Sequence, residues 1–158
     1  MKKPPIVEIR SLKAGKLHGF SAETNEMNRR REITALATRY HELLGPGKHL
    51  PLYVVSQNRA PEGNYSLFFG GNPSNEAMQA IDMPAGPYAR MVIRPKYGLF
   101  WGKAIAEARD WFFREWLPAS NYTKKDLEFE HHSEKTIEKQ PTLELFFALE
   151  KKNIEKIG

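Results

Sequence analysis

Two windows of this sequence carry apolar residues at the period of an α-helix, and each is flanked by short stretches that alternate like strands. In "NEMNRRREITALATRYHELLG", Ile33, Leu36, Ala37, Tyr40, Leu43 and Leu44 recur at i, i+3, i+4, i+7, i+10 and i+11. That spacing predicts an amphipathic helix over residues 29–44. Asn25 or Asn28 offers a cap, and Gly45, Pro46 and Gly47 stop it. In "GLFWGKAIAEARDWFFREWL", Trp101, Ile105, Ala108 and Phe112 form the stripe, with Trp111 and Trp116 on its flank. A second helix is predicted over 99–117, stopped by "PASNY".

The remaining segments read as strands. "PIVEIRSLKAGKLHGFSAET" sets Ile6, Glu8 and Arg10 against Val7 and Ile9, one extended strand that Gly15 and Gly19 allow to bend. "LPLYVVSQN" and "NYSLFFGGN" follow across the turn "RAPEG". "MPAGPYARMVIRP" precedes the second helix, and "LEFEHHSEK" and "TLELFFALEKK" close the chain. The order is β-α-β-β twice over. It predicts an α+β fold, an antiparallel sheet with two principal helices. A single domain over 1–158 is expected, with halves at about 1–80 and 81–150 and a charged tail at 151–158.

Composition narrows the chemistry. The chain has no cysteine, so disulfides, thiolate metal sites and thiol nucleophiles are excluded. Hydrophobic content of 41% supplies a core without a metal or a staple. No apolar run suits a secretory leader or a membrane span, so a cytoplasmic protein is expected. The formal net charge is +5, yet Lys and Arg are scattered among acidic residues. The densest run, "NRRRE" at 28–32, reads as a solvated face. Sequence-specific nucleic-acid binding is therefore not expected.

One stretch stands out against this basic background. If "DLEFEHHSEK" is a strand, Glu128, Glu130, His132 and Glu134 share one face, and Leu127, Phe129 and His131 share the other. Glu128 and Glu134 read as solvated. Glu128, Glu130 and His132 on one strand would coordinate a metal at a poor angle, so no metal is expected. "FFGGNPSNE" lacks the Lys of a phosphate loop and reads as a turn; no cofactor is expected. His18, His41 and His49 are isolated, and Ser120 has no triad partners, so no catalytic residue is named.

"MPAGPYARMVI", "WFFREWLPASNY", "LEFEHHSE" and "LELFFAL", in that order, resemble the gyrase-inhibitor-like family. This is the effector-binding domain of bacterial multidrug-responsive transcription activators, with stand-alone integron-cassette versions. Pro84, Gly86, Tyr88 and Ala89 fit its first element. Trp116, Leu117, Pro118, Ser120 and Tyr122 fit the second, Phe129 and Glu130 the third, and "ELFFAL" the last. The chain departs from the pattern at Asn121, His132 and Ala148, where the family carries Gly, Tyr and Pro.

The resemblance implies the same duplicated fold and a binding module for cationic amphipathic or aromatic compounds. It implies a carboxylate at Glu130 in a groove walled by aromatics, for which Tyr65, Phe68, Tyr88, Trp101, Trp111 and Phe146 are the candidates. It further implies that Phe129 packs under a helix while Glu130 projects into the groove, with the Tyr88 hydroxyl beside it. Two other functions follow from the same family: a protein-interaction module, since some members act on DNA gyrase, and a hydrolase of strained electrophiles in which the glutamate is general base.

Overall fold

The structure is a computed structural model that describes residues 5–95, 101–137 and 141–152. Its strands are β1 (Glu8–Leu12), β2 (Gly15–Thr24), β3 (Leu52–Gln57), β4 (Tyr65–Gly71), β5 (Gln79–Met83), β6 (Gly86–Ile93), β7 (Tyr122–His132) and β8 (Leu143–Lys151). Helix α1 (Arg29–Leu44) follows β2, and α2 (Trp101–Trp111) follows β6. All pairings are antiparallel. They join one eight-stranded sheet in the order β1-β6-β8-β7-β3-β4-β2-β5. The α+β class and the two principal helices are those the periodicity predicts.

The order is mirrored about the β7–β3 pair. Counted outward, β7, β8, β6 and β1 match β3, β4, β2 and β5. Each outermost strand is exchanged: β1, just before β2 in the chain, pairs with β6, and β5, just before β6, pairs with β2. The first segment is thus two strands in opposite halves of the sheet, not one bent strand. β5 is a further strand absent from the sequence expectation. Both outer strands are largely exposed, and the alternation read in β1 does not record which strand it pairs with. Nothing local in the chain marks them as paired.

Helix α1 buries Leu36 and Tyr40 against Phe20, Val54, Leu67 and Phe69 of β2, β3 and β4. It ends where predicted: Gly45, at φ 81°, donates its N–H to the His41 carbonyl. Helix α2 runs on through a π-helical turn, Phe112–Trp116, and a last turn, Leu117–Ala119. Positions 99 and 100 of the predicted helix lie outside the described residues. The wider π turn presents Phe112, fully buried, flat on Phe147 of β8, with ring centroids 4.1 Å apart.

Both helices lie on one face of the sheet. The opposite face carries its own cluster of Leu17, Val55, Phe68, Tyr88, Leu127, Phe129, Phe146 and Ala148. Gly70 and Gly71, read from sequence both as the end of the strand "NYSLFFGGN" and as the start of a turn, lie within β4. A Cβ on Gly70 would fall 2.2 Å from the His18 carbonyl oxygen, so β2 and β4 approach there only because the side chain is missing. Among the described residues, no helix is long and apolar enough to cross a membrane.

Candidate functional site

Strand β7 decides which side chains meet. Its alternation sends Glu128 and Glu130 to the helix face, in register with Ser56 and Val54 of β3 and with Phe147 and Leu145 of β8. Leu127, Phe129 and His131 go to the other face. The expectation that Phe129 lies under a helix, with Glu130 opposite it, is therefore reversed. The period of two fixes which residues share a side but carries no sign, and both sides here have something to bury.

The face opposite the two principal helices is lined with rings. Phe129 stacks on Phe146 with centroids 4.7 Å apart and planes 13° from parallel. Tyr88 meets Phe129 edge-on at 5.8 Å and Phe146 at 6.4 Å. Tyr53 lies 5.9 Å from Phe129 and 5.0 Å from His131. Phe68 belongs to the same cluster, and Leu12, Tyr53, Ile81 and Met83 form its half-buried rim.

A polar row borders the rings across five neighbouring strands: Glu8, Arg90, Glu144, His131 and Tyr53 on β1, β6, β8, β7 and β3. Glu144 is its centre. One carboxylate oxygen lies 2.7 Å from His131 Nδ1, and the other accepts from Arg90 Nε. Arg90 Nη1 reaches Glu8 Oε1 at 3.2 Å. The His131 hydrogen bond lowers the Glu144 pKa most; partial burial opposes it, Arg90 adds to it, and the carboxyl settles at about 2. The Tyr53 hydroxyl is pushed up, first by burial and then by the Glu144 charge. Burial also raises Tyr88. Its hydroxyl donates to the Pro84 carbonyl at 2.7 Å rather than to Glu130, which corrects that expectation.

The helix face holds a separate set of charges, packed along the seam between α1 and α2. Glu130 takes Arg29 Nη2 at 3.3 Å and lies 3.2 Å from His132 Nε2. Arg29 also donates to the Ser56 and Tyr65 hydroxyls, at 2.8 and 3.2 Å. Glu128 accepts both arms of Arg109, at 2.8 and 2.9 Å, with Lys124 at 3.7 Å and Arg59 at 3.8 Å. Two solvated readings are overturned here: Glu128 is 5% exposed and Arg29, from the basic run, is 9% exposed. Fixed partners make such burial tolerable. Burial by itself would raise both carboxyls. Arg109 leads the cations that hold Glu128 low, and the hydrogen bond to His132, followed by the charge and hydrogen bond of Arg29, holds Glu130 low. The space among Arg29, Ser56, Arg59, Arg109, Glu128 and Glu130 is about 10 Å³, room for one water-sized molecule.

The candidate residues from sequence thus divide. Phe68, Tyr88 and Phe146 come together on the ring-lined face. Glu130 and Tyr65 meet in the charged seam. Trp101 and Trp111 pack, half-buried, on the α2 side of the sheet. Glu144, Tyr53, His131 and Arg90 were not singled out. The available signal was a lone glutamate in the apolar closing strand "LELFFAL", in step with Phe146 and Ala148.

The sequence pattern of one family, Cass2, the integron-associated effector binding proteins, matches residues 8–149. No curated protein matches the chain. Among solved structures, an integron cassette protein from the mobile metagenome of Vibrio cholerae is 13% identical. The match covers 91% of this chain and 95% of that one, with a TM-score of 0.65. A protein of Staphylococcus aureus MU50 described by its role in bacterial transcription regulation is also 13% identical, over 92% of this chain and 99% of that one, at a TM-score of 0.68. SAV2435, solved bound to tetraphenylphosphonium, is 14% identical over 92% and 94% of the two chains, also at 0.68. These likenesses establish a shared fold. The family match spans β1 to β8, and the chain belongs to the integron-associated effector binding proteins.

Proposed function

We propose that the chain binds a cationic aromatic small molecule on the ring-lined face, with Glu144 as its charge partner and Tyr53, Phe68, Tyr88, Phe129 and Phe146 as the walls. The observation that carries this reading is the position of Glu144, an ionised carboxylate on the same face as the stacked Phe129 and Phe146. A cation 4 Å from a carboxylate gains about 4 kcal/mol at an effective dielectric of 20. Each ring face adds roughly 0.5–2 kcal/mol. SAV2435, which shares the fold, is solved with a ligand of this chemistry.

Tyr88, Phe129 and Phe146 are 2%, 8% and 8% exposed, so a ligand has to part the rings. The half-buried rim of Leu12, Tyr53, Ile81 and Met83 is where parting costs least. The low pKa of Glu144 favours charge pairing over hydrolysis. A carboxylate held at about 2 is a weak base toward water.

Titration calorimetry with tetraphenylphosphonium tests the proposal. Glu144→Gln keeps the shape and removes the charge, and it should weaken binding by about 1–3 kcal/mol, the scale of a charge-assisted contact. Equal affinity for both proteins would leave Glu144 without this role.

A further inference from the structure

Glu144 already holds a cation. Arg90 stands beside it on β6 and donates Nε to its carboxylate, on the face where the proposed ligand would sit. The side chains of Arg90 and Glu144 are 19% and 22% exposed, so the pair is mostly withdrawn from water. Arg90 also has a second partner on its far side. Glu8 of β1, directly opposite it in register, accepts from Nη1 at 3.2 Å and is 47% exposed. Glu8 is in turn 2.9 Å from Arg10 Nη2. One guanidinium therefore bridges two carboxylates, one beside the rings and one at the exposed edge.

We infer that Arg90 is a built-in competitor for the site and sets its charge selectivity: a cationic ligand displaces the guanidinium from Glu144, and Glu8 retains it at the sheet edge. This rests on Glu144 being the ligand's charge partner. The physical basis is that a carboxylate can serve an incoming cation fully only when its resident cation gives way. The exposed Glu8 makes that cheap, because Arg90 keeps one carboxylate throughout. Without Arg90 the ring face would carry one more unit of negative charge and accept cations indiscriminately. With it, only cations that also fill the ring surface compete successfully.

A pair of ions of the same shape and opposite charge separates this role from a structural one. Tetraphenylphosphonium and tetraphenylborate would be titrated against wild type, Arg90→Gln, Glu144→Gln and Glu8→Gln, with melting curves to verify folding. Arg90→Gln should bind the phosphonium about tenfold tighter and the borate about tenfold weaker. A loss of packing would weaken both. Glu144→Gln, which leaves Arg90 with Glu8 alone and removes the negative charge beside the rings, should turn the preference toward the borate. Glu8→Gln removes the fallback partner from an exposed position and should weaken the phosphonium about two- to threefold. If Arg90→Gln does not fold, Glu8→Gln decides: weaker phosphonium binding supports the competitor role and unchanged binding overturns it. Unchanged or weaker phosphonium binding by a folded Arg90→Gln overturns the inference, and if Glu144→Gln still weakens binding, the site itself stands. Failure of every protein to bind the phosphonium overturns both.

Discussion

Glu130 and Glu144 are both ionised and both paired, yet removing each charge should do opposite things. Glu130 faces Arg29 beneath α1, where Ser56 and Tyr65 supply hydroxyls and, among the described residues, Glu130 is the carboxylate in ion-pair contact with that guanidinium, Glu26 acting on it from further off. Glu130→Gln strands a buried cation and should cost about 2–4 kcal/mol of stability, seen as a lower urea midpoint. Affinity for tetraphenylphosphonium should change little. Glu144→Gln should act mainly on affinity, and on acid stability too. Its folded pKa of about 2 lies below the ordinary 4.5, so its contribution is complete above 4.5 and disappears as pH falls through about 2. The variant should therefore lose stability less steeply than wild type in that window, in melting curves taken across it. A steeper acid loss in the variant would refute the assignment. At this scale the sequence showed Phe68, Tyr88 and Phe146 as candidates but not Glu144. An isolated carboxylate in an apolar strand gains meaning only when β7 brings His131 opposite and β6 brings Arg90 alongside.

The elements were legible where their signal is local. Helix α1 occupies the window that its periodicity predicts, and the second window holds α2 and its π turn. The π turn itself was hidden, because one extra residue in a turn leaves the apolar stripe nearly unchanged. Its consequence is the sandwich of Phe112 between Phe147 and Trp116, at 4.1 and 5.2 Å. Phe112→Ala should cost about 3–5 kcal/mol, measured by urea denaturation, since both neighbours are fixed and the space closes poorly. A cost below 1 kcal/mol would mean that the turn is not held by this stack. The facing of β7 and the exchange of β1 and β5 were illegible for one physical reason. Both depend on which distant strand lies alongside, and alternation along a strand does not record that.

Across the whole molecule, the mirrored strand order puts the β7–β3 pair at the centre, with the helices and the Arg29–Glu130 and Arg109–Glu128 pairs on one side and the Phe129–Phe146 stack with Glu144 on the other. Binding on the ring side should stabilise the entire sheet, because the rings belong to both halves: Phe68 to β4, Tyr88 to β6 and Phe146 to β8. Tetraphenylphosphonium at 100 times its dissociation constant should add about 2.7 kcal/mol. That raises the melting temperature by roughly 5–10 °C for a chain of this length. The most direct measurement is a crystal structure of the complex with tetraphenylphosphonium. The phosphonium should lie between the Glu144 carboxylate and the faces of Phe129 and Phe146, with the Arg29–Glu130 pair undisturbed between the helices. A phosphonium seated at Glu130 on the helix side, or one bound away from both carboxylates, would contradict the account.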